Sequence, residues 1–143
     1  MIPFGRIRGA IVFDAGLKID EIISNRRLMD IFHCACEGGI RYSSKTETVV
    51  VVINNTKEGR PNREKNGVLF FAGRLFKHGE TFQGANKRLA EFLSDGKPVF
   101  AFQVDEPGKY QYRGRAVSSG DPEIALDNSG EKYPVFPLKL QQD

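Results

Sequence analysis

The chain has 143 residues, 40% of them hydrophobic and 27% charged, with a formal net charge of +3. That length supports one domain, residues 1–143, with a proper core, and it is too short for a two-domain enzyme. The composition excludes a disordered tail, a collagen-like or coiled-coil rod and a helical membrane protein, since the longest apolar runs, Val49–Ile53 and Val68–Ala72, have five residues against roughly 20 needed to span a bilayer.

At the amino terminus, Arg6 and Arg8 precede only a four-residue apolar stretch, residues 10–13. That is too short for a secretory core segment, so a cytoplasmic location is expected. Cys34 and Cys36 are one residue apart, a spacing that would strain a disulfide, and reduced thiols fit a cytoplasmic setting. The charge is unevenly spread. Residues 1–40 carry five basic and five acidic side chains, residues 41–115 fourteen and eight, and residues 116–143 two and five. A basic centre of +6 attracts a polyanion, although a solvated surface produces the same pattern.

In chain order, Ile19, Ile22, Ile23, Leu28, Met29, Ile31 and Phe32 recur near helical spacing, and Ser24 is placed to cap a short helix running to about Phe32. Glu37-Gly38-Gly39 breaks it. Thr46–Ile53 is a β-branched run without alternation, which predicts a central strand buried on both faces. Asn54-Asn55-Thr56 ends that strand, and a polar loop follows to Gly67. Val68–Ala72 is a second buried strand, closed by Gly73. Phe82, Ala85, Leu89, Phe92 and Leu93 share one helical face, with Gly96 as the stop. Residues 98–104 form a third apolar strand. Residues 109–117 alternate, which predicts Tyr110, Tyr112, Gly114 and Ala116 inward and Lys109, Gln111, Arg113 and Arg115 toward solvent. Residues 133–140 form a last strand, and Pro134 and Pro137 place it at an edge. Five or six strands and two helices without βαβ alternation predict an α+β fold, a strongly curved and mostly antiparallel sheet with helices against it.

No catalytic constellation stands out. His33, Cys34, Cys36 and Glu37 are close together but lack the second half that a metal site needs. There is no phosphate-cradling glycine loop and no nucleophile elbow. Asp105-Glu106 and Asp121-x-Glu123 flank turn prolines, as solvated loop acids do; a small nuclease using Asp121 and Glu123 with magnesium is the enzymatic alternative. No cofactor or metal is expected. What remains is a binding pattern in which cations (Lys57, Arg60, Arg63, Lys65, Arg74, Lys77, Lys87, Arg88, Arg113, Arg115) flank aromatic strands (Phe70, Phe71, Tyr110, Tyr112). Phosphate neutralisation needs the first set, and stacking on bases needs the second. Strand aromatics also serve as core.

An ordered series of segments carries a resemblance. Gly38-Gly39-Ile40-Arg41-Tyr42-Ser43-Ser44-Lys45-Thr46 leads to a strand ending Ile53-Asn54-Asn55-Thr56-Lys57. Then come Val68-Leu69-Phe70-Phe71-Ala72-Gly73, Ala85-Asn86-Lys87-Arg88-Leu89, Val99–Val104, Tyr110-Gln111-Tyr112-Arg113-Gly114 and Phe136–Leu140. Spanning residues 17 to 140, the series resembles the SRA-like (SET- and RING-associated-like) domains of modification-dependent bacterial restriction endonucleases, in which such a reader is joined to an HNH nuclease. The resemblance implies a PUA-like saddle-shaped β-barrel with two or so packed helices. It also implies a duplex DNA partner and a methyl- or hydroxymethylcytosine flipped into a pocket. That pocket would be lined by Asn54, Asn55, Thr56, Phe70 and Phe71, with Gln83–Asn86 beneath it. Arg41, Lys45, Lys57, Arg60, Arg63, Lys65, Arg74, Lys87, Arg88 and Arg113 would meet the DNA backbone. Tyr112-Arg113-Gly114 matches the family's Tyr-x-Gly position. Two departures stand out. Phe71-Ala72 replaces the family's Tyr-Thr, and the loop from Lys57 to Asn66 lacks its acidic–aromatic pattern. The HNH part is missing from this chain, and a separate nuclease module is the implied partner. A nucleotide or small-ligand site on the same scaffold is the other reading, motivated by the apolar Phe70-Phe71-Ala72 wall.

Overall fold

Six consecutive residues, Thr48 through Ile53, are buried, and a strand covered on both faces needs a layer on each side. A computed structural model describes residues 4–7, 10–56, 62–76 and 82–141 and shows both layers. The elements are β1 (Phe4–Ile7), β2 (Ala10–Phe13), β3 (Ile22–Ile23), α1 (Asn25–Phe32), β4 (Ile40–Ser43), β5 (Thr48–Asn54), β6 (Arg63–Lys65) and β7 (Val68–Ala72). They continue with α2 (Gly84–Ser94), β8 (Val99–Glu106), β9 (Lys109–Ser118), β10 (Glu123–Leu126) and β11 (Lys132–Gln141). The main sheet runs β4-β5-β8-β9-β11-β7-β6, with β10 beside β11 and β3 beside β9, while β1 and β2 form a separate hairpin.

Alternation along β5 sorts its side chains into two cores. Val49, Val51 and Ile53 join Leu89 and Phe92 of α2, with Phe71, Phe136 and Leu138. Val50 and Val52 join Leu28 and Phe32 of α1, with Phe100, Phe102 and Tyr112. Phe32 is the hub of the second core, its ring 5.2–5.7 Å from those of Phe13, Phe100 and Phe102, within the range of favourable aromatic pairs. Ser24 caps α1, its Oγ accepting the Arg27 N–H at 3.1 Å. The helix ends at His33, which takes the left-handed conformation (φ 54°).

Four expectations change. The sheet is open, with β4 and β6 at its ends, rather than a closed barrel. The described residues hold eleven strands, the unexpected ones only two to four residues long. β5 and β8 pair in parallel, so one crossover through β6, β7 and α2 exists where no βαβ unit was expected. Finally, β11 is not an edge strand, since it pairs with β7, β9 and β10. Its prolines sit where neighbours stop. The Pro134 carbonyl accepts from Gly73 N–H, just past the end of β7, and the Pro137 carbonyl accepts from Ser119 N–H, just past the end of β9 (2.8 Å each). A strand residue directs its N–H and C=O to the same side, so neither missing donor falls opposite a strand partner.

A bulge marks β9. Ala101 pairs with Gly114 and Phe102 with Tyr112, leaving Arg113 as the extra residue. Gly114 has φ +102°, and a Cβ there would lie 2.1 Å from the Gln141 carbonyl oxygen. Gly108 (φ +80°) has open space around it. Gly114→Ala is therefore expected to cost about 3 kcal/mol or more, and Gly108→Ala only the ~1–2 kcal/mol of left-handed strain, measured by urea denaturation. Equal losses would contradict a close β9–β11 approach at Gly114.

Candidate nucleic-acid interface

The curl of the sheet brings its two ends together without hydrogen-bonding them. A Cβ on Gly39, just before β4, would sit 3.7 Å from Cζ of Phe71 in β7 and 3.7 Å from the Val52 carbonyl. Beside this seam lies a cavity of about 590 Å³, inside the usual range for ligand sites. Val52, Asn54 and Thr56 at the end of β5 line it, with Val104 at the end of β8 and Tyr110 on β9. Phe71, Ala72 and Asn62 close one side, and Cys36 to Gly39 with Arg41 close the other.

Of the expected pocket residues, Asn54, Thr56 and Phe71 are brought together here. Asn54 Oδ1 accepts from both the N–H (2.9 Å) and the hydroxyl (2.6 Å) of Thr56. Asn55 points elsewhere, donating to Asp105 Oδ1 at 2.8 Å. Phe70 is not part of the cavity lining; it sits half-buried on the other face of β7 from Phe71, one pleat before Ala72. Phe71 is itself only 1% exposed and belongs to the α2 core, so it forms a wall and offers little face for stacking. Tyr110 is half-buried and lines the cavity. It is the aromatic with a surface to offer; the sequence marks it as inward-facing and as one of four strand aromatics suited to stacking, while the resemblance points to Phe70 and Phe71 for the pocket.

Arg41 departs most from expectation. Rather than projecting toward phosphate, it is 4% exposed and forms part of the cavity wall. Its guanidinium donates to the Gly38 carbonyl (2.9 Å), Asn25 Oδ1 (2.7 Å), the Ala35 carbonyl (3.3 Å) and the Tyr110 hydroxyl (3.4 Å). Asn25 in turn donates to the Cys36 carbonyl at 2.9 Å, so α1 and Arg41 together fix the 35–39 loop. Burial pushes the Cys34 thiol up, against the pull of the neighbouring Arg41 charge. His33, Cys34, Cys36 and Glu37 do not converge, and among the described residues no group of three such side chains could hold a metal.

The remaining expected cations divide. Lys45, Arg63, Lys65, Arg74, Lys87 and Arg88 are exposed. Arg74 reaches over Gly38 at the cavity, where an added Cβ would lie 2.7 Å from its Nη2, and Arg88 stacks 4.0 Å from the Tyr42 ring centroid. Beneath them, Asn86 bonds both the N–H and the carbonyl of Arg74 at 2.8 Å, tying α2 to the end of β7. Lys57, Arg60 and Lys77 lie outside the described residues. Arg113, expected to face solvent, is 17% exposed at its side chain and bonds Gln103 Oε1 and Glu64 Oε1. It belongs to a polar chain in which Gln103 Nε2 and Asn55 Nδ2 both donate to Asp105, holding that carboxyl below its usual value, with Asn55 the larger cause. Asn55→Ala is accordingly expected to raise the Asp105 pKa, read by carboxyl-carbon NMR titration. An unchanged midpoint would remove Asn55 from this chain. Because the pKa is lowered on folding, the small stability gain is present above the ordinary carboxylate range and lost as pH falls through it.

No family model and no curated protein sequence matches the chain. Solved structures do. The SUVH5 SRA domain bound to fully hydroxymethylated CG DNA superposes with a TM-score of 0.66 at 15% identity, over 90% of this chain and 91% of that one. The chain has the SRA fold. KRYPTONITE in complex with mCHH DNA gives 0.68 at 14% identity (89% and 32%). The DNA modification-dependent restriction endonuclease AspBHI gives 0.62 at 16% (89% and 42%). This SRA-fold chain therefore spans less than half the length of those two proteins. Among its described residues, no helix is long and apolar enough to cross a membrane. Its wall residue Asn62, whose Oδ1 accepts the Ala72 N–H at 2.9 Å, went unsuspected because it sits in a polar loop without a pattern.

Proposed function

We propose that this chain is a non-catalytic module that reads a modified cytosine, methyl- or hydroxymethylcytosine, in duplex DNA by taking the flipped base into the cavity beside Phe71. The observation that carries the reading is that cavity on an SRA fold, lined by aromatic and amide side chains at the ends of parallel strands. Flipping a base costs a few kcal/mol of stacking and pairing, which the pocket must offset. Stacking on Tyr110 contributes on the order of 1–3 kcal/mol, and the Asn54 amide and Thr56 hydroxyl supply partners for the base edge. Exposed Lys45, Arg63, Lys65, Arg74, Lys87 and Arg88 neutralise phosphates, joined by Lys57 and Arg60. Such contacts position the protein without reading sequence. The neighbours lend support, since SUVH5 and KRYPTONITE are bound to modified DNA. In a restriction system, as with AspBHI, cutting would fall to a separate nuclease module.

Fluorescence-anisotropy titrations on duplexes differing at one cytosine test this. A modified duplex is expected to bind at least tenfold tighter than the unmodified one, with affinity falling as salt rises. Equal affinities would remove the modified base, and salt-independent binding would remove the DNA backbone. Tyr110→Ala is expected to weaken the modified complex by about tenfold and the unmodified one little. Lys87→Ala is expected to weaken both alike and to reduce the salt slope by about one. The opposite pattern would exchange the two roles.

A further inference from the structure

The cavity wall has an unusual polarity, which follows from what its side chains already bond. Asn54 and Asn62 both have their amide oxygens occupied, Asn54 by the Thr56 N–H and hydroxyl, Asn62 by the Ala72 N–H. Backbone donors thereby fix both amide orientations, and the groups left for a ligand are their NH₂ donors. Arg41, a permanent cation with no acceptor atom, completes the set. Its oxygen acceptors are all neutral, the longest being the Tyr110 hydroxyl at 3.4 Å, and its other partners, the Cys34 thiol and the Tyr110 ring 5.5 Å from Cζ, carry no formal charge either. Among the described residues no carboxylate lies within ion-pair distance of it. Glu37, the carboxylate of the lining, is exposed and makes no such pair. A buried charge without a counter-charge is unfavourable, and an anion brought beside it is correspondingly favoured.

Resting on the reading of this cavity as a base pocket, we propose that it selects a flipped pyrimidine bringing oxygen acceptors inward, a 5-carboxylcytosine above a 5-methylcytosine. Arg41, Asn54 and Asn62 are the specificity-determining donors. A methyl group has no lone pair for any of the three. A hydroxymethyl group brings one neutral acceptor oxygen, whereas an ionised carboxylate brings two and supplies the missing negative charge. The preference should therefore rise in the order methyl, hydroxymethyl, carboxyl.

The test uses duplexes identical except for one cytosine, which is unmodified, methylated, hydroxymethylated or carboxylated, titrated by anisotropy against the full chain. The carboxyl duplex is expected to bind about tenfold tighter than the methyl duplex, since a hydrogen bond to a charged group is worth more than one to a neutral group. Asn54→Asp and Asn62→Asp keep the oxygen that the backbone donor needs and replace the NH₂ by a carboxylate oxygen. Each is expected to abolish the carboxyl-to-methyl preference while melting near the wild-type temperature. Arg41 is left intact because it also holds the 35–39 loop. A methyl duplex bound as tightly as the carboxyl one overturns this proposal and leaves the reader function standing. Equal binding of all four duplexes overturns both. A preference that survives in both folded Asp variants overturns the assignment of the donors.

Discussion

The structure depends on the close approach of Gly39 to Phe71. β4 and β7 lie toward opposite ends of the sheet path, yet the space a Gly39 side chain would need is bounded by the Phe71 ring and the Val52 carbonyl. The sheet curls far enough to bring its arms into contact but not far enough to hydrogen-bond them. A full ladder there would make a closed barrel with a filled interior. The unclosed seam instead leaves a cavity at the ends of β5 and β8, a place where parallel strand ends commonly present ligand sites. The β9 bulge at Arg113 adds local bend and twist.

How much of this could be read in the sequence follows from which residues carry short-range signals. The buried run Val49–Ile53 gave the central strand, and the Ser24 cap and the Phe82–Leu93 periodicity gave the helices, because each is a local pattern. Hairpin β6–β7 carries one legible signal and one misleading one. Asn66 and Gly67 both take positive φ (55° and 78°), as an Asn-Gly hairpin turn requires, but Arg63-Glu64-Lys65 looked like loop because all three face solvent. The proline rule failed at β11 since it counts missing donors and not where neighbouring strands end. At the site, Asn54, Thr56 and Phe71 were legible from the strand end and the family resemblance. Asn62 and the inward turn of Arg41 were not, because both depend on contacts between segments distant in sequence.

The charge pattern also gains a physical reading. Part of the basic centre is structural, with Arg41 buried in the cavity wall and Arg113 joined to Glu64 and Gln103. Among the described residues, Lys45 and the cations on β6, after β7 and on α2 are exposed, and under the proposed function these are the ones that meet phosphate. One class of side chains thus divides between a buried, structural set and an exposed set. A net charge cannot distinguish those sets, whereas burial and partners do.

The central claim is that a base leaves the duplex and enters the cavity. A duplex with 2-aminopurine stacked next to the modified cytosine reports this directly, since loss of the stacking neighbour raises its fluorescence. Saturating protein is expected to raise the emission several-fold for the modified duplex, and a Tyr110→Ala variant to lose most of that rise. Tight binding with unchanged emission would mean that the modified base is read in the groove, and the cavity would need another occupant.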